Sequence, residues 1–175
     1  MPDQDPVRRT RVGRAALVAT AALVFTLGCG DTKRDDGSVD GVERVTLTGN
    51  YLTSLTGQGW NLESGRITNE PADVDFALSM TMVIMLHPRQ PEVGFCEPGG
   101  VSKFERVEDV PSDASGCTGW GSADLGGNSP VIADSVAGRG FIVRNRDAVP
   151  VAKLMIVSAS VVEADVQVTF DIAKL

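Results

Sequence analysis

From Val42 onward the apolar and polar residues alternate with a period of two. Val45 and Leu47 are separated by threonine and followed by Gly49-Asn50, a turn signal. Trp60-Asn61-Leu62 leads to a second turn at Ser64-Gly65, after which Ile67 resumes the pattern. Residues 73–86 (DVDFALSMTMVIML) form the longest apolar stretch of this region. Counted by twos, they set Val74, Phe76, Leu78, Met80, Met82, Ile84 and Leu86 on one face. That pattern predicts one long or broken strand, ended at His87-Pro88 because proline has no amide hydrogen to give a ladder. The segment GFIVR at 140–144 predicts another strand, with a turn at 145–150 and a hairpin partner at 151–157. Val166, Val168, Phe170 and Ile172 alternate strictly with Gln167, Thr169 and Asp171, as in a final strand with one buried face. Residues 89–130 are rich in Gly, Pro and Ser; apart from some order around 103–110, they read as long loops of the kind that often carry binding function. The expectation is one all-β domain over residues 42–175, an antiparallel sandwich or a small barrel-like sheet.

The N-terminal region follows a different pattern. Arg8, Arg9, Arg11 and Arg14 precede an uncharged run at 15–27 that closes on Leu27-Gly28-Cys29. A basic segment, a short apolar segment and a small residue before a cut make a secretory leader. The apolar run falls short of the roughly 20 residues a membrane-spanning helix needs. This stretch resembles the bacterial lipoprotein signal, in which a small residue precedes the cysteine that becomes the acylated first residue. Thr26 departs from that pattern, standing where an aliphatic residue is commoner. The resemblance implies a cleaved signal helix at 1–28, a lipidated tether at 29–41 and a membrane partner reached through Cys29. It places the protein in the bacterial cell envelope. Gly30 does not provide the aspartate-type signal for inner-membrane retention, which favours the outer membrane. Residues 30–41 (GDTKRDDGSVDG) are polar and read as a flexible tether. Their aspartates do not make a calcium loop, since Lys33 or a missing glycine breaks every frame of the required spacing.

Removing the leader leaves 147 of the 175 residues, enough to bury a core in one domain. The leader holds four of the 16 Lys+Arg and two of the 23 Asp+Glu, so the remainder carries 12 positive against 21 negative charges, a net of −9. Such a balance argues against nucleic acid and against electrostatic docking on anionic lipid. With Cys29 assigned to lipid, Cys96 and Cys117 are an even pair in an oxidising compartment, and a disulfide between them is expected.

Little in the chain points to catalysis. His87 is the single histidine, so a Ser-His-Asp triad would have to recruit it, and no Gly-x-Ser-x-Gly elbow presents a serine. Zinc sites with several histidines are excluded by count. Asp73 and Asp75 share a strand face in the pattern and read as solvated aspartates before they read as paired catalytic carboxylates. Gly138-Arg139-Gly140 runs into a strand rather than the helix a phosphate loop requires, and Gly126-Gly127-Asn128 reads as a turn. For binding, Trp60 and Trp120 sit beside glycines in turn-prone sequence, where an aromatic ring can be presented to a ligand. Met80, Met82 and Met85 make a thioether-rich stretch that fills a core or meets a soft ligand. The candidate ligand-binding residues are therefore Trp60, His87, Trp120 and Met82, with no metal site and no cofactor required.

The order of segments between about residues 55 and 160 resembles the HmuY-like group of haem-binding lipoproteins. Leu62-Glu63-Ser64-Gly65 matches that family's early Leu-x-x-Gly turn. Asp73-Val74-Asp75-Phe76-Ala77-Leu78 matches its Trp-Asp-hydrophobic-x-Phe segment, with Val74 in place of tryptophan. Ile142-Val143-Arg144 followed by Ala152-Lys153-Leu154-Met155-Ile156 matches its late hairpin, without the glycine of the turn. The resemblance implies an all-β, lipid-anchored protein and, as an alternative to a general binding domain, capture of haem between two side chains. His87 would be one of them, and the other a methionine or a side chain from elsewhere. A non-enzymatic binding or interaction domain is the first expectation; an envelope hydrolase using Asp73 and Asp75 is the third.

Overall fold

Two antiparallel five-stranded sheets pack face to face in the computed structural model, which describes residues 41–99, 103–127 and 135–175. Cys29, the leader and the tether up to residue 40 lie outside the described residues. The strands are β1 (Val42–Asn50), β2 (Thr56–Asn61), β3 (Arg66–Thr68), β4 (Phe76–Met80), β5 (Val83–Pro88), β6 (Gly94–Cys96), β7 (Ala123–Gly127), β8 (Gly140–Arg144), β9 (Pro150–Val162) and β10 (Asp165–Lys174). The first sheet runs β1-β10-β9-β8-β6 and the second β3-β2-β4-β5-β7. Of the two architectures expected, the fold is the sandwich.

The core holds most of the side chains the alternation placed on one face; Val74, which turns over the outer face at Gly59, and Met82 are the exceptions in 73–86. Leu47, Leu78, Leu86, Leu125, Leu154 and Ile156 have no accessible surface. Phe76 meets Phe95 edge-on at 5.0 Å and lies 6.0 Å from Phe170, while Trp60 meets Phe170 edge-on at 6.4 Å. These contacts cross from one sheet to the other, and each adds about 0.5–1.5 kcal/mol beyond area burial.

The stretch at 73–86 is a hairpin rather than a single strand. β4 and β5 pair with Met80 opposite Ile84, Leu78 opposite Leu86 and Phe76 opposite Pro88. The fold-back is centred on Met82, an even position, so the even residues of both arms still face the core. The same alternation therefore describes one straight strand or two arms of this hairpin. Met82 itself is 90 % exposed at the tip. The region at 89–130 also holds more strand than expected, because β6 and β7 are too short to register as a periodic pattern. Gly126 and Gly127, read as a turn, end β7; Asn128 lies outside the described residues. β9 extends five residues beyond the expected partner strand, which ended at Val157. A bulge puts Ser158 opposite Thr169 and Ile156 opposite Phe170, leaving Val157 as the extra residue. The inward set changes from Leu154 and Ile156 to Ala159, so the alternation breaks where the strand continues.

Residues 103–117 form a strap over the outer face of the first sheet. Val107 and Val110 pack there against Met155 and Ala173. Lys153 reaches from the sheet to donate through Nζ to the carbonyls of Glu108 (2.7 Å) and Val110 (3.1 Å). A Cβ on Gly140 would collide with the ring of Phe104 and a methyl of Val110, both at 2.6 Å, so the strap needs glycine beneath it. The strap is closed by the disulfide between Cys96 and Cys117. Near its end Asp113 accepts from the amide (2.8 Å) and hydroxyl (2.5 Å) of Ser115. Those bonds hold its carboxyl below the usual range, so the cap is intact at neutral pH and is lost only on acidification below the ordinary aspartate value of about 3.9.

Replacing Cys96 and Cys117 together by serine is expected to lower stability by about 3 kcal/mol, a fall of roughly 10 °C in melting temperature for a domain of this size. Calorimetry measures the loss, and limited proteolysis of the variant is expected to begin within 97–117.

Candidate ligand-binding face

The two outer faces of the sandwich differ. That of the first sheet is crossed by the strap, and Arg44 and Asp171 pair on it through two hydrogen bonds of 2.7 and 2.9 Å. The outer face of the second sheet carries no disulfide-closed strap among the described residues, though Val74 lies over Gly59, and Gly59 and Ala77 are buried. Its register aligns Gly59, Ala77 and His87 in one row and Thr56, Ser79 and Met85 in the next, with Asp124 extending the second row on β7. The floor is made of small residues, and a groove of about 330 Å³ crosses it, lined among others by Thr56, Gly59, Thr68, Val74, Ala77 and Arg89.

The groove wall is held before any ligand arrives. Val74 turns back over β2, and a Cβ on Gly59 would come within 2.6 Å of one of its methyl groups. Gln90 donates through Nε2 to the carbonyl of Val74 at 3.0 Å, and Asn61 donates through Nδ2 to that of Asp73 at 2.5 Å. A preformed wall spares a ligand the cost of ordering it.

Asp73 and Asp75 are not a carboxylate pair. Asp73 is exposed. Asp75 is buried, bound by Nε of Arg146 at 2.6 Å and by the amide of Leu62 at 2.7 Å. It ties the β2–β3 turn to the β8–β9 turn and is fully committed to that link. Arg139 makes a similar structural clamp. It forms two bonds to Glu97 (2.9 and 2.7 Å), donates to the carbonyl of Asp124 at 2.6 Å and stacks on Phe141 at 5.3 Å. Glu97 raises the guanidinium pKa, so the clamp stays charged.

The four residues expected to bind ligand do not converge. Trp60 is 3 % exposed and belongs to the core, because its ring points inward from β2. Met82 is at the β4–β5 tip. Trp120 stacks on Arg144 at 5.1 Å, beside β6 at the edge of the first sheet. His87 alone lies on the outer face of the second sheet, its Nδ1 sharing a hydrogen with Oγ of Ser122 at 2.8 Å. Five extended residues, roughly 16 Å, separate His87 from Met82, too far for both to hold one iron. Met85 is the methionine on His87's face. Sequence reading passed over Arg89, Gln90 and Ser122, for which isolated polar residues in Pro- and Gly-rich segments give no signal.

Among the described residues no three His, Cys, Asp or Glu side chains are grouped to hold a metal ion, and no helix is long and apolar enough to cross a membrane. Comparison with protein-family models, with curated proteins and with solved structures finds no match.

Substitution at the buried ion pair is expected to be asymmetric. Arg146→Met strands a buried carboxylate and is expected to cost about 2–3 kcal/mol, while Asp75→Asn/Arg146→Met recovers part of the loss in a double-mutant cycle read by urea unfolding. His87→Ala, on the open face, is expected to stay within about 0.5 kcal/mol of the parent.

Proposed function

We propose that this protein is exported, acylated at Cys29 and held by that lipid in the bacterial envelope, more specifically at the outer membrane. There its domain acts as a non-enzymatic binding module. The arginine-rich leader that ends at Gly28-Cys29 supports the anchor, and the disulfide between Cys96 and Cys117 suits an oxidising compartment. The observation that carries the binding role is the contrast between the two outer faces. One is closed by a disulfide-stapled strap; the other has no strap and carries a groove with a braced wall.

Two measurements test this. Labelled fatty acid is expected to enter the native chain and not Cys29→Ser, with the variant shifting from the membrane to the soluble fraction; equal labelling of the two would sink the anchor. Haem, envelope saccharides and short peptides titrated into the isotope-labelled mature chain are expected to move amide signals of β2, β4 and β5. Ligand shifts confined to the strap would refute the assignment of the binding face.

A further inference from the structure

The described arginines divide by their partners. Arg44, Arg106, Arg139 and Arg146 are hydrogen-bonded to carboxylates, and Arg144 stacks on Trp120 with Glu92 at 3.9 Å. Arg66 and Arg89 are the two without an ion pair; register sets Arg66 on the outer face of the second sheet, and Arg89 lines the groove on that face. Ile67 lies opposite the inward Trp60, so Arg66, opposite Asn61, points outward. Arg89 stands one residue past the end of β5. The amide of Arg89 bonds to the carbonyl of Asp75, and that of Asp75 to the carbonyl of Trp60, so backbone bonding continues across β5, β4 and β2 to the strand that pairs with β3. Three strand spacings separate the two arginines, roughly 14 Å at the backbone. In a chain of net charge −7 that pairs its other described arginines internally, Arg89 lines the groove and Arg66 projects from the same face of β3 as Thr68 of its lining.

We propose that this groove binds an acidic oligosaccharide, a polyhydroxylated ligand whose repeated carboxylates meet Arg66 and Arg89. The inference rests on the outer face of the second sheet being the binding face. Guanidinium suits carboxylate in a two-point hydrogen bond, and Thr56, Thr68 and Asn69 supply hydroxyl and amide groups for sugar hydroxyls between them. A peptide held by strand addition is disfavoured, because β2, β4 and β5 are paired on both sides and offer no free backbone edge beneath the groove. The nearby carboxylates Glu70 and Asp73 are exposed on the wall loop and form no ion pair with either arginine, and they set a preference for spaced over densely packed negative charge.

The test is calorimetric titration of the mature chain in detergent with a tetragalacturonate, and with the same oligomer after its carboxyl groups are reduced to alcohols. The acidic oligomer is expected to bind saturably, at least tenfold tighter than the reduced one, with an affinity that falls as salt rises. Arg89→Gln and Arg66→Gln, both on exposed side chains, are expected to weaken it about tenfold each while leaving the melting temperature unchanged. Equal affinity for the two oligomers, with amide shifts at Gly59 and Ala77, would overturn the acidic class and keep the binding face. Binding that shifts only strap amides would overturn both. Absence of saturable binding by the acidic oligomer would overturn the saccharide assignment.

Discussion

The cross-sheet contact of Phe76, Phe95, Phe170 and Trp60 is the constraint on which the fold depends. These rings come from β4, β6, β10 and β2, and they meet only when both sheets turn the same set of alternate residues inward. A one-residue slip in any of those strands would send its aromatic side chain to solvent. The bulge at Val157 follows from the same requirement, since it lets a long β9 keep Leu154, Ile156 and Ala159 in the core although their spacing is not even.

Once the inner faces are buried against each other, the outer faces are free to differ. The first sheet carries Met155 and Ala173 outward, apolar residues that need cover, and the strap supplies it with Val107 and Val110. Lys153 then serves as a polar fastener, its ammonium satisfying carbonyls at the end of a short 3-10 turn. The second sheet carries Gly59, Ala77, Ser79 and His87 outward, residues that tolerate water. The absence of a strap on this face follows from that difference in composition.

Ion pairs have a structural part as well. Asp75–Arg146 and Glu97–Arg139 each join segments distant in the chain at places where the ladders end. Surface pairs contribute little, but these carboxylates are largely withdrawn from water and gain from being held by two donors. That consumption of charge is what makes Arg66 and Arg89 stand out.

The sequence by itself determined the fold class, the turns at 64–65 and 145–150, the strands at 140–144 and 166–172, and the pairing of Cys96 with Cys117. Each follows from short-range pattern or from counting, and burial of one face enforces it. Tertiary structure decided the rest. Whether 73–86 was one strand or two depended on a fold-back about Met82 that leaves the alternation unchanged. Whether Asp75 was solvated depended on Arg146, 71 residues away. Trp60, His87, Trp120 and Met82 were one set of binding candidates in the sequence, yet they occupy the core, the outer face of the second sheet, an edge and a hairpin tip. Their separation is set by strand order, and strand order arises from long-range pairing that local periodicity does not encode.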